Sequence, residues 1–109
     1  MKKIATYKTL GTNNLESAKS FYDGLFEEIE TMSFSPNDRS WFWVIKGDDS
    51  MFAVFIPYDG EEASAGNGGM TGFLMNSEQE VDDIHAKAIS LGATDDGAPG
   101  RRTENFYGA

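Results

Sequence analysis

Two stretches of the sequence, IATYKTLGTNN at residues 4–14 and MTGFLMNS at residues 70–77, open the two halves of the chain in the same way. Each combines a short apolar segment that suits a β-strand with a polar residue that suits a helix N-cap, and an amphipathic helix follows. Such self-similarity is typical of a repeated structural unit. We therefore predict a duplicated fold in a single domain, with a first module over residues 1–58, a linker over residues 59–69 and a second module over residues 70–109.

The first module is predicted to place one helix between its first strand and three further strands. Asn14 is a residue type favoured at helix N-caps, and apolar side chains recur at helical spacing over residues 15–25. The segment SWFWVI at residues 40–45 is aromatic and β-branched on both faces, which suits a strand covered on both sides. The predicted strands cover residues 4–10, 29–34, 40–45 and 51–56, and a turn at residues 46–50 joins the last two.

The second module begins in the same way but contains fewer elements. We predict a strand over Met70–Met75 and then a helix, because Ser77–Glu80 reads as a capping box and Gly92 ends the helical pattern. A short strand is predicted at Ala93–Thr94 and an extended segment over Arg101–Tyr107. The second module is therefore expected to be incomplete.

Length and composition limit the classes of function. The 109 residues correspond to one domain, and the formal net charge of −9 makes nucleic acid and anionic membranes unfavourable partners while mildly favouring cationic small molecules. The sequence has no cysteine, and no apolar run approaches the roughly 20 residues of a membrane span. Met1–Lys3 carry the charge of a secretory leader, but no apolar region follows them. We predict a cytoplasmic protein.

The order of these elements resembles the βαβββ module of the vicinal oxygen chelate superfamily, which includes glyoxalases, extradiol dioxygenases, fosfomycin-resistance enzymes and bleomycin-resistance proteins. The residues that carry the resemblance are Gly11–Leu15, Ala18, Phe21–Tyr22, Leu25–Phe26, Phe73, Val81–His85 and Gly92–Ala93. The resemblance implies an α+β fold in which paired βαβββ modules form an incompletely closed, cup-shaped mixed sheet with the helices outside. A small ligand or a divalent metal would be held in the concavity of such a sheet.

Metal-dependent members of this superfamily take ligands from the first strand of each module and from the last strand. The first-strand positions correspond most nearly to Tyr7 and Met70, and neither side chain suits a divalent ion that prefers imidazole and carboxylate. The last strand of the family pattern is absent after residues 106–109, either in the protein itself or because the 109 residues are an incomplete version of a longer product. An open sheet edge invites pairing with another chain, so we expect a homodimer without a cofactor.

Aromatic side chains are the most informative candidates for a ligand site, whereas the sequence assigns no catalytic residue. Alternate residues of a strand face opposite sides, so either Trp41 and Trp43 or Phe42 and Val44 line the concave face. His85, the only histidine, is predicted to be a partly exposed helix residue. The predicted ligand-binding residues are Tyr7, Trp41, Trp43, Phe55, Met70, Glu104 and Tyr107, with Arg39, Arg101 and Arg102 as candidate polar anchors.

Three hypotheses of function follow from the sequence. The first is a metal-independent small-molecule binding protein similar to bleomycin-resistance proteins, whose aromatic side chains stack on a planar or apolar ligand. The second is a metal-dependent lyase or isomerase similar to glyoxalases, with its divalent metal held by ligands from a missing strand or a partner subunit. The third is a partner-binding domain that pairs with another chain through its open edge.

Overall fold

The computed structural model describes residues 4–47 and 49–109, which form two compact units, one extending to Thr71 and the other covering Gly72–Ala109. The elements of the first unit are β1 (Tyr7–Gly11), α1 (Leu15–Leu25), β2 (Thr31–Phe34), β3 (Ser40–Ile45) and β4 (Met51–Phe55). Those of the second unit are α2 (Glu78–Ser90), β5 (Gly100–Thr103) and β6 (Phe106–Gly108). The predictions made for Met1–Lys3 and for Asp48 in the turn fall outside the described residues.

The strands of the first unit form one mixed sheet in the order β1-β4-β3-β2. β1 lies parallel to β4, with Tyr7 opposite Met51 and Gly11 opposite Phe55. β4 and β2 are both antiparallel to β3. The sheet is not closed into a barrel, because β1 and β2 stand at its two ends. The predicted α+β class with an incompletely closed mixed sheet is confirmed.

α1 begins where the sequence predicts. The Asn14 side chain accepts a hydrogen bond from the Ser17 backbone N–H at 3.0 Å, which satisfies one of the free donors of the first turn. At the other end, the Phe26 N–H donates to the carbonyl of Tyr22 at 2.9 Å. The predicted N-cap is therefore confirmed.

One face of the four-stranded sheet packs against α1 and is called the core face. Its centre is an aromatic cluster in which Tyr22 of α1 lies 4.7 Å from Phe52 and 5.6 Å from Trp43, measured between ring centroids. Phe26 and Val54 complete the buried part of this cluster. Full burial of one such side chain stabilises the fold by roughly 1.5–3 kcal/mol. The hydroxyl of Tyr22 shares this environment, and desolvation by burial raises the pKa of Tyr22.

The second unit consists of α2 and a two-stranded hairpin. Ser77 caps α2 by accepting a hydrogen bond from the Glu80 N–H at 3.1 Å, as predicted. Gly92 follows the helix with a φ of 106°, a conformation that favours glycine. The N–H groups of Gly92 and Ala93 donate to the carbonyls of Ile89 and Ala88, both at 3.0 Å, which is the pattern of a Schellman motif.

Three strand predictions for the second half are wrong. Ala93–Thr94 is not a strand, and the Ala93 N–H is used to cap α2 rather than to pair with a neighbour. Met70–Met75 is not a strand either, because a strand requires a hydrogen-bonded partner and neither sheet contains one for this segment. Arg101–Tyr107 is not one extended segment but folds back as β5 and β6, with Arg101 opposite Tyr107.

The segment predicted as a linker, residues 59–69, contains no regular element but is tied to the first unit. The Ala63 N–H donates to the Asn13 side-chain oxygen at 2.7 Å, and the Asn13 side chain donates to the Ala63 carbonyl at 3.5 Å. A Cβ placed on Gly11 would lie 3.1 Å from the Ala63 Cβ, so this part of the segment passes close to the end of β1. Neither helix of the described residues is long and apolar enough to cross a membrane.

Candidate functional site

The side of the four-stranded sheet opposite the core face carries four aromatic rings. Tyr7 of β1, Phe34 of β2, Phe42 of β3 and Phe55 of β4 make up this group, which we call the aromatic face. Strand alternation explains the separation, since Trp43 and Phe52 pair with one another on the core face while their neighbour Phe42 points to the other side. The same alternation applied to four adjacent strands collects one ring from each.

The rings of the aromatic face are arranged around Phe42. Tyr7 and Phe34 both stack on it with an interplanar angle of 17°, at centroid separations of 5.8 and 5.2 Å. Phe55 meets Phe42 edge-on at 5.5 Å and 74°. These separations and angles are those of attractive offset-stacked and T-shaped aromatic pairs. Three nearly parallel rings thus lie across the width of the sheet.

The floor of the aromatic face is Ala53. This residue pairs with Thr9 on one side and Phe42 on the other, and its side chain is fully buried. Because alanine occupies the position between β1 and β3, the rings of Tyr7 and Phe42 can approach each other across β4. Tyr7 remains 51% exposed and Phe34 41% exposed, so the rings present apolar surface to solvent.

Arg39 lies at one end of the aromatic face, directly before β3. Its guanidinium carbon is 5.4 Å from the centroid of Phe55 and 5.1 Å from that of Tyr58, which are distances of cation–π contacts. Its Nε donates to the carbonyl of Ile56 at 2.9 Å. A positively charged guanidinium therefore lies against Phe55, one of the rings of the aromatic face.

The predicted ligand-binding residues of the first unit lie on different sides of the sheet. Tyr7 and Phe55 are brought together on the aromatic face with Phe42 between them. Trp41 and Trp43 lie instead on the core face, where Trp43 is 1% exposed and its indole N–H donates to Asp23 at 3.0 Å. Of the two pairs that the sequence left open, Trp41 and Trp43 therefore face α1, and Phe42 and Val44 face the other side of the sheet.

The remaining predicted site residues are not part of the four strands that carry the aromatic face. Met70 is 90% exposed in the segment that follows the linker. Glu104 and Tyr107 belong to the second unit, where the Glu104 carbonyl accepts a hydrogen bond from Arg101 and the Tyr107 hydroxyl donates to Asp82 at 2.6 Å. That hydrogen bond to Asp82 is the main cause that raises the pKa of Tyr107. Ligand binding by these three residues stays a prediction.

Phe34 was missed by the sequence analysis, and Phe42 was reached only as one of two alternatives. The signal for Phe34 is its register, because it pairs with Phe42 when β2 and β3 are aligned as a hairpin around the turn at residues 35–39. The pairing of Phe34 with Phe42 can be predicted from the sequence. The side of the sheet on which the two rings lie cannot, because it depends on where α1 packs.

The side chains at the positions implied for metal ligands do not fit a divalent ion. Tyr7 offers a phenol and Met70 a thioether, whereas such ions prefer imidazole and carboxylate. The carboxylate recorded against His85 among the described residues is that of Asp95, at 3.2 Å. Within residues 4–47 and 49–109 no three histidine or acidic side chains are grouped so that they could hold a metal. We therefore derive no chemical step through a metal.

Comparisons with known proteins give a consistent likeness at the level of structure. The chain is similar to the crystal structure of a glyoxalase/bleomycin resistance protein from Albidiferax ferrireducens T118, with 29% identity and a TM-score of 0.79 over 96% of this chain and 85% of that chain. It also has the fold of a lactoylglutathione lyase from Agrobacterium tumefaciens, with 21% identity and a TM-score of 0.64 over 97% of this chain and 82% of that chain. No protein-family model and no curated protein matches the sequence. The mixed sheet, the helices and this likeness together show that the chain has a glyoxalase-like fold.

Proposed function

We propose that the chain is a small-molecule binding protein that holds a planar, apolar ligand against the aromatic face without a metal. The observation that carries the proposal is the set of three nearly parallel rings, Tyr7, Phe42 and Phe34, of which the outer two are partly exposed. The likeness to a glyoxalase/bleomycin resistance protein supports the same class of function.

Physical chemistry favours a planar ligand at such a surface. Apolar ring surface in contact with water is unfavourable, and a second planar molecule would remove it from solvent while adding a stacking contact. The rings are already held in position by one another, so little conformational freedom is lost when a ligand binds. Ala53 provides the small floor that lets the rings stand close together.

The proposal is tested by isothermal titration calorimetry of the full chain with 2-naphthamide, a neutral planar probe. We expect saturable binding with one site per chain, weakened about three- to tenfold by Tyr7→Ala or Phe34→Ala, which corresponds to the roughly 0.5–1.5 kcal/mol of one aromatic contact. Phe106→Ala is the matched control, because it removes an exposed phenyl ring from the second unit. Absence of binding, or equal weakening by the control, would contradict the proposal.

The metal-independent part of the proposal has a separate test. We expect the purified protein to contain no stoichiometric divalent metal. After treatment with a chelator, we expect it to show no tight binding of manganese, nickel or zinc. Stoichiometric metal with tight rebinding would instead favour the lyase or isomerase hypothesis, with metal ligands other than Tyr7 and Met70.

The homodimer also stays a prediction. β1 and β2 end the four-stranded sheet, and their outer backbone groups are not paired with another strand of the described residues. A free strand edge is a template for a second chain. Light scattering over micromolar concentrations is expected to give twice the monomer mass of 12.0 kDa, and a constant monomer mass would refute the prediction.

A further inference from the structure

We infer that the ligand of the aromatic face carries a carboxylate, which Arg39 binds at the end of that face. The inference rests on the proposed function, because it adds an anionic group to the planar ligand proposed above. The chemical class that the site fits is then a planar aromatic carboxylate.

Arg39 is fixed in place by its own backbone and by one side-chain nitrogen. Its backbone N–H donates to the Asn37 side chain at 2.9 Å, and its carbonyl accepts from the Ile56 N–H at 2.8 Å. The Nε donates to the carbonyl of Ile56 at 2.9 Å, so the side chain is tied to the residue that directly follows β4. A group ordered before binding loses little freedom when a ligand arrives.

The remaining donors of Arg39 are available to a ligand. The contacts with the rings of Phe55 and Tyr58 orient the guanidinium plane without consuming an N–H group. The structure describes no hydrogen bond or ion pair from the two Nη groups to residues 4–47 or 49–109. The donors of a guanidinium form a rigid fork whose geometry matches a carboxylate.

The segment that follows β4 limits how a ligand can lie on the aromatic face. Gly11 pairs with Phe55, and a Cβ on Gly11 would meet both Ala63 and Pro57. The chain therefore covers the sheet at the Phe55 end, whereas Tyr7 and Phe34 stay partly exposed. A ligand that stacks on these rings reaches Arg39 only with the edge that points toward Phe55. A single terminal carboxylate satisfies this geometry.

The overall charge of the protein opposes the binding of an anion. A net charge of −9 disfavours anions and favours cations at long range. Preference for an anionic ligand is thus expected only if a local contact outweighs the general field. The bidentate contact with one guanidinium supplies such a contact, since charge-assisted hydrogen bonds are about twice as strong as neutral ones.

Three probes of one shape separate the possibilities. Isothermal titration calorimetry of the full chain compares 2-naphthoate, neutral 2-naphthamide and cationic 2-naphthylmethylammonium. We expect 2-naphthoate to bind about tenfold or more tightly than 2-naphthamide. Arg39→Gln is expected to remove this advantage while leaving the binding of 2-naphthamide within about twofold. Arg39→Lys, which keeps the charge but lacks the fork, is expected to lose most of the advantage.

Lys46→Gln is the matched control, because it removes one exposed positive charge from the turn between β3 and β4. It is expected to keep the full preference for 2-naphthoate, and circular dichroism confirms the fold of each variant. Equal binding of 2-naphthoate and 2-naphthamide, tightest binding of the cation, or a preference that survives Arg39→Gln would each overturn the inference while leaving the proposed function in place. Binding of none of the three probes would overturn both.

Discussion

The first unit contains every buried residue of the part of the chain that the structure describes, whereas the second unit contains none. In the first unit the aromatic rings of α1, β3 and β4 pack on one another, and the polar contacts of Asp23 with Lys19 and Trp43 lie at the margin of that core. Removal of apolar surface from water is therefore the main source of stability there.

In the second unit, polar contacts join α2 to the segment that follows it. Glu78 forms an ion pair with Arg101, Asp82 accepts a hydrogen bond from Tyr107, and His85 contacts Asp95. The pKa of Asp95 is lowered first by a hydrogen bond from a backbone N–H and then by His85. Exposed pairs of this kind stabilise proteins little, so the second unit is expected to open more readily than the first.

The largest expected effect comes from removing a core ring. Phe52→Ala should lower the free energy of unfolding by about 3–5 kcal/mol, because it deletes a buried ring and leaves a cavity. Leu74→Ala, at a residue of the second unit that is 99% exposed, should change it by less than about 0.5 kcal/mol. Urea titration is followed by circular dichroism, which reports both units, and by tryptophan fluorescence, which reports the first unit alone, since both tryptophans lie there. A similar effect of the two substitutions would remove the contrast between the units.

The two helix caps offer a matched pair of intermediate effect. Asn14→Ala and Ser77→Ala each remove a side-chain acceptor of a first-turn N–H, which typically costs about 1 kcal/mol. If the units open separately, Ser77→Ala should lower amide protection in α2 without moving the tryptophan transition, and Asn14→Ala should move that transition. Amide hydrogen exchange measures the first effect and urea unfolding the second. A shift of the tryptophan transition by both variants would show that the units unfold together.

The smallest expected effect concerns Tyr107 and its dependence on pH. The pKa of Tyr107 is raised above the usual value of about 10, chiefly by its hydrogen bond to Asp82, so its contribution to stability is complete below that value. The contribution is lost as the pH rises through the raised pKa. Wild type should therefore exceed Tyr107→Phe in urea midpoint by circular dichroism at pH 8, and the difference should shrink toward pH 11.

Tyr22 provides an internal control for this titration. Burial also raises its pKa, and this residue is present in both proteins, so its effect cancels in the comparison. A difference between wild type and Tyr107→Phe that stays constant from pH 8 to pH 11 would contradict the assigned role of the hydrogen bond.

The local elements of the first unit could be predicted from the sequence because short-range chemistry determines them. Asn14 caps α1, and the apolar segments at residues 40–45 and 51–56, rich in aromatic and β-branched side chains and joined by a turn, predict the hairpin of β3 and β4. In the second unit, Ser77 and Gly92 mark the ends of α2 for the same reason. The strand predictions for Met70–Met75 and Ala93–Thr94 are wrong because neither segment has a strand partner among the described residues, and pairing is a property of two segments rather than one.

The candidate site could be predicted only in part. The aromatic composition of residues 41–45 indicates a ligand face. Tyr7 and Phe55, two of the predicted ligand-binding residues, lie on the same side of the sheet and both contact Phe42, and ligand binding by them stays a prediction. The sequence does not decide which residues of β3 face away from α1, because Trp41 with Trp43 and Phe42 with Val44 are both apolar pairs.

The sequence by itself determined the helices, the central hairpin, the acidic surface and the resemblance to one superfamily, since these depend on residue type and spacing. Only the tertiary structure decided that α1 covers Trp43, that Phe42 faces the other way between Tyr7 and Phe34, and that Arg39 lies over Phe55. The physical reason is that strand alternation divides the side chains between two faces of the sheet but does not decide which face is buried. The packing of a helix against one face decides this for both.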